Sequence, residues 1–148
     1  MSDLKELSSR LISTPWNPVS PGVSSQLLGV FKDKGWISVL RLEPGSVVPL
    51  HRHTGEVHGF VLAGHRRLGP GGALVGPGEY TFEPEGNVDT WSVEGDVPLV
   101  SLFVVRGDVE YLDDSRAVLR RETGQSKLEA YQRVCIEKGV VPADLMQR

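Results

Sequence analysis

The chain has 148 residues, a net charge of -3, 24% charged and 39% hydrophobic residues. That is enough for one ordinary core. It gives no electrostatic case for a nucleic-acid partner, and no apolar run approaches the roughly 18–20 residues that span a bilayer. Cys135 is the only cysteine, so no intramolecular disulfide can form. The charged start Met1-Ser-Asp-Leu-Lys-Glu lacks the apolar centre of a signal peptide. The expected location is cytoplasmic.

Residues 3–12 read as a short amphipathic helix, with Leu4, Leu7, Leu11 and Ile12 at helical spacing and Ser2 or Asp3 as cap. Pro15, Pro18 and Pro21 then force an extended path, with Trp16 expected to pack on the body of the fold. Short β-prone runs follow between Gly and Pro turns: residues 25–31, 36–42, 47–53, 57–63, 79–82, 90–93, 99–106 and 110–112. In the second of these, Trp36, Ser38, Leu40 and Leu42 alternate onto one face. Residues 69–72, Gly-Pro-Gly-Gly, form a loop tip. Residues 126–138 are helical, with Leu128, Tyr131, Val134 and Cys135 as the apolar stripe, Ser126 and Glu129 as a capping box, and Gly139 just beyond the end. The division expected is an N-terminal helix and arm over 1–22, a barrel over 23–122, and a helix and tail packed on it over 123–148.

All four histidines, His51, His53, His58 and His65, lie within fifteen residues. His51-Arg52-His53 in a strand puts two imidazoles on one face, which is half of a transition-metal site. Gly45, five residues and His-x-His come first. Then Gly78, five residues and Pro84-Glu85-Gly86 follow, with Asp89 three positions on. This pair of motifs resembles the cupin superfamily, in which a histidine stands where this chain has Asp89.

The wider pattern narrows the resemblance. The runs Trp-Asn-Pro-Val-Ser-Pro-Gly-Val, Gly45 to Gly64, Gly78 to Gly86, and Ala-Tyr-x-x-Val-Cys-Ile-Glu-Lys-Gly are similar to one cupin group. That group contains the acetylacetone-cleaving and dihydroxyacetophenone dioxygenases and the zinc-binding cupin lobe of ChrR-type anti-sigma factors. The resemblance implies an all-β fold: a single antiparallel cupin β-barrel (jelly roll) with short N- and C-terminal helices. It also implies a metal in the barrel mouth. Fe(II) is the expected ion, with Zn, Ni and Mn also compatible with the donors. The activity implied is O2-dependent cleavage of a C–C bond beside a carbonyl in a small-molecule substrate, and the assembly implied is a homodimer. A non-catalytic metal- or ligand-binding regulatory cupin is the alternative.

Carried over position by position, His51 and His53 are ligands, and Asp89 stands at the third histidine, where a carboxylate completes a two-His, one-carboxylate set. His58 falls at the motif's glutamate when counted four on from His53. Counted back from Gly64, that place is Val57, so the face on which His58 lies stays open. Glu56 is a weaker substitute. Glu83 in Phe-Glu-Pro matches an outer carboxylate of the acetylacetone-cleaving enzymes, expected to orient a ligand or a water. Arg66 and Arg67 are the candidates to hold an anionic substrate.

Overall fold

The computed structural model describes residues 14–147; the helix expected over residues 3–12 lies outside them. Two antiparallel sheets face each other as a jelly roll. One has the order β1 (Asn17–Ser20), β2 (Val23–Phe31), β3 (Gly35–Leu42), β10 (Leu99–Arg106), β5 (Val57–Ala63), β8 (Tyr80–Glu83). The other runs β12 (Val118–Glu122), β11 (Val109–Leu112), β4 (Val47–His53), β9 (Val88–Glu94), β6 (His65–Leu68), β7 (Leu74–Val75). A short β13 (Met146–Gln147) runs parallel to β2. The barrel is thus a flattened one, formed by two facing sheets rather than by a closed ring of strands.

Strand alternation builds the core. Leu99, Ser101, Phe103 and Val105 of β10 are all buried, and each is followed by a more open neighbour. Val57 and Val61 of β5 face the same interior, opposite Trp91 and Val93 of β9. Trp36, Ser38, Leu40 and Leu42 line the inner cavity as the alternation predicts. Val39, on the other face of β3, is buried as well. The helix α1 (Gly124–Lys138) packs on β1, β2 and β3 through Tyr131, Val134 and Cys135.

That helix begins two residues before the predicted start. Its capping box is Thr123 with Ser126, a turn earlier than Ser126 with Glu129: Thr123 Oγ1 accepts from Ser126 N–H, and Ser126 Oγ accepts from Thr123 N–H. Gly139 ends it in the left-handed region at φ 66°. Gly124 sits where a Cβ would lie 2.9 Å from both Gly35 O and Val30 Cγ1, so glycine lets the helix approach the sheet closely. No helix among the described residues is long and apolar enough to cross a membrane.

Candidate metal centre

His51 and His53 lie on β4, in the middle of the second sheet, and both are buried. Their ring centroids are 4.9 Å apart, as same-face neighbours require. Pro49 supplies no ladder donor, and the pairing of β4 with β9 shifts between Val48 and His51. Pro49 O accepts a hydrogen bond from His51 Nδ1 at 2.8 Å. A carbonyl only accepts, so Nδ1 carries a proton, and Nε2 is the atom that a metal would use.

Glu83 comes from the facing sheet. It ends β8, and the turn that follows is clamped to β4 on both sides of His53: His53 N–H donates to Asn87 O at 3.0 Å, and Gly86 N–H donates to His53 O at 2.8 Å. Gly86, at φ +85°, permits that turn. Asn87 Nδ2 donates to Glu83 Oε1 at 3.0 Å and orients the carboxylate. One ligand atom from each of His51, His53 and Glu83 lies within 4.8 Å of the others. Glu83 Oε2 stands 3.8 Å from His53 Nε2, too far for a hydrogen bond. At bond lengths of about 2.1 Å, donors at octahedral or tetrahedral angles on one small cation lie about 3.0–3.4 Å apart, so the group must close by up to about 1.5 Å to seat an ion.

The electrostatics suit His53 as a neutral imidazole ligand. Burial, then the charges of His51 and Arg66, push His53 down from 6.5 to about 3, so it is unprotonated at neutral pH. His53 Nδ1 is buried without a hydrogen-bond partner, which leaves the ring free of the usual second anchor. Beside the group lies a cavity of about 90 Å³ with mostly apolar walls, including Trp36, Leu42, Val57, Trp91 and Phe103. Tyr111 lines it beside His51, at 5.9 Å between ring centroids, as do Ser38, Glu122 and Lys127. Burial and then Glu122 push its phenol up to about 12, so it stays a protonated hydrogen-bond donor.

The structure brings His51, His53 and Glu83 together and leaves two expected ligands outside that group. His58 is on the outer face of β5, because Val57, Gly59 and Val61 take the inner one. Its Nδ1 is 2.6 Å from Tyr80 Oη, and its ring packs against Tyr80 and Phe82. Asp89 is paired with His51 across β4 and β9. Its carboxylate, however, accepts from Thr90 N–H at 2.8 Å and approaches the turn at Gly69. Glu83, expected just outside the ligand set, is inside the group. Glu56 is within 3.4 Å of His58 Nε2 on the outer face.

Of the two arginine candidates, Arg67 turns outward and is held by both carboxylate oxygens of Glu94. Arg66 turns inward and is 1% exposed, with its guanidinium 4.8 Å from the Trp91 ring and 5.1 Å from the Phe103 ring. The alternation of β6 would have separated the two, but His-Arg-Arg-Leu does not look like a strand by hydropathy.

Solved structures share this architecture. An RmlC-like cupin from Ralstonia eutropha superposes with a TM-score of 0.86 at 24% identity, over 92% of this chain and 90% of that one. An acetylacetone dioxygenase from Acinetobacter johnsonii gives 0.73 at 19% identity, over 80% and 85%. Rhodobacter sphaeroides SigE in complex with the anti-sigma ChrR gives 0.58 at 22% identity, over 68% of this chain and 54% of that one. At these identities the likeness is one of fold. Comparison of the sequence with curated proteins gives no significant match. Residues 5–110 match the family described as the ChrR cupin-like domain, and the chain belongs to that family.

Proposed function

We propose that this protein is a metal-binding cupin in which His51, His53 and Glu83 hold one divalent ion, Fe(II) in the working protein. The reaction proposed is dioxygenase cleavage of a C–C bond in a small β-diketone or hydroxyketone. The observation that carries the reading is the convergence of two buried imidazoles and one carboxylate from opposite sheets. Such a set suits non-haem Fe(II) and leaves positions for substrate and O2. When bound, the ion supplies Lewis-acid polarisation of a chelating carbonyl and redox contact with O2.

The chain's own residues do the rest. Asn87 steadies Glu83, and Pro49 O fixes the His51 tautomer. The apolar walls exclude water and favour a hydrophobic carbonyl compound. In this reading Tyr111, a protonated phenol lining that cavity beside His51, donates a hydrogen bond to an oxyanion there. The reading includes a homodimer formed by two copies of β8 with the adjoining β5 face. β8 ends its sheet, and Phe60, Leu62, Tyr80 and Phe82 stand exposed beside that edge. The second reading, a regulatory cupin that holds its metal without turnover, is favoured by the family the chain belongs to.

The test is metal content after anaerobic loading with Fe(II), followed by O2 uptake with acetylacetone and with hydroxyketones. About one iron per chain is expected, lost in His53→Asn and in Glu83→Gln. The absence of iron binding sinks the metal centre. Binding without O2 uptake on any such substrate leaves the regulatory reading.

A further inference from the structure

On the other side of Glu83 from the apolar cavity lies an open cleft of about 310 Å³, lined by Arg66, Thr81, Glu83, Asn87 and Asp89 among others. Glu83 borders both spaces. The cleft opens between the end strand β8 of one sheet and strands β6 and β9 of the other.

Arg66 is the unusual group there. An arginine is almost never fully buried without a partner that accounts for it. Nη2 donates to Thr81 Oγ1 at 2.9 Å, and the rings of Trp91 and Phe103 stack against the cation. Nε and Nη1 have no hydrogen-bond partner. The two arginine donors left over are closed to water in the ligand-free protein and are a standing cost, which an oxygen ligand relieves only by displacing the wall that covers them. Thr81 uses one of its two lone pairs on Arg66, and its own O–H proton remains to donate.

The charge count points to the kind of ligand. Glu83 and Asp89 are the carboxylates whose fields favour the charged form of Arg66, against burial. One cation and two carboxylates sum to -1. With a divalent ion on Glu83 the sum becomes +1, which a monoanion neutralises.

We propose that this cleft is a subsite for a small monocarboxylate, gripped by Arg66 and Thr81 and filled most tightly when the metal group is loaded. It extends the reading above to a substrate that carries a carboxylate, and it rests on that reading only for its coupling to the metal. Coupling between two such sites is reciprocal, so zinc and the carboxylate each tighten the other by one factor, of the order of tenfold.

The test uses sodium acetate as probe and nitrogen-15 NMR of the Arg66 Nε–H group, assigned by its disappearance in Arg66→Lys. Titrations run on the full chain, metal-free and zinc-loaded, against sodium chloride at equal ionic strength. A saturable shift at Arg66 with acetate and not with chloride is expected, about tenfold tighter with zinc, and weakened about tenfold in Thr81→Val. Thr81→Val retains Arg66 and its aromatic stack should Arg66→Lys fail to fold. No saturable acetate shift in either form, or the same shift with chloride, overturns the subsite, whether or not zinc binds. An acetate shift in a protein that takes up no zinc supports the subsite and overturns the metal reading and the coupling.

Discussion

Acid should destabilise the metal-free protein through His53 in particular. Its folded-state value is about 3, against 6.5 for an unperturbed histidine. Between these values the unfolded chain binds a proton at His53 that the folded chain refuses. Stability therefore rises with pH in that window, is fully present above about 6.5, and falls by about 1.4 kcal/mol per pH unit below it. From pH 7 to pH 5 the loss works out at roughly 2 kcal/mol, continuing towards pH 3. The side chain is only 8% exposed, so solvent screening removes little of this. The assay is urea unfolding in the presence of a chelator, followed by tryptophan fluorescence, at pH 7 and pH 5. Wild type should lose about 2 kcal/mol more than His53→Asn, which cannot titrate there. Equal losses in the two proteins would refute the assignment of a neutral, buried imidazole. The same imidazole needs no deprotonation to act as a ligand above about pH 5, so His53 should add no proton release to metal binding near neutral pH.

Asp89→Asn should change zinc affinity by less than about tenfold, whereas Glu83→Gln should lower it by more than about 100-fold, beyond the range of an outer partner. Calorimetric titration checks both, and the reverse order would return Asp89 to the ligand set. A Cβ at Gly59 would lie 2.7 Å from Thr81 Oγ1 and 3.0 Å from the Phe103 ring. Gly59→Ala should therefore cost about 1–3 kcal/mol by overpacking and should displace the Arg66 Nε–H resonance. An unchanged melting temperature and spectrum would show that this wall yields freely. Thr123→Ala removes half of the capping box and should cost about 0.5–2 kcal/mol in urea unfolding. Phe60→Lys should convert a dimer to a monomer in light scattering without altering zinc affinity; a wild-type monomer would remove the dimer from the reading.

Much of the fold was legible because β4, β5 and β10 are short β-prone runs bounded by Gly and Pro; their observed limits are those the pattern predicts. Three of the five strands that escaped did so for a common physical reason. Asn17–Ser20 contains a proline, His65–Leu68 carries two arginines, and Val118–Glu122 carries two arginines and a glutamate. Hydropathy marks such segments as loops. Two of them nonetheless point charged groups inward: Arg66 between aromatic rings, and Glu122 onto Lys127 at 3.1 Å. The face of His58 was undecidable by counting, because motif spacing fits two registers. Packing decides it: Gly59 is the residue that fits against Thr81 and Phe103, and its parity sends His58 outward.

The candidate site was half legible for a different reason. His-x-His is a local pattern, and one strand fixes it. The carboxylate partner depends on how the two sheets approach each other, which no spacing along the chain records. Asp89 and His51 are neighbours within one sheet, whereas Glu83 reaches the histidines from the sheet opposite. A metal on this group therefore does more than fill a pocket: it ties the end strand β8, bonded in its own sheet to β5 alone, to the centre of the facing sheet. A ligand at 100 times its dissociation constant adds about 2.7 kcal/mol of stability. Because this tie is at the sheet edge, the gain should be concentrated in hydrogen-exchange protection of residues 80–83. If metal instead protects β4 and leaves β8 unchanged, the carboxylate is not Glu83, and the ion is held from one sheet only.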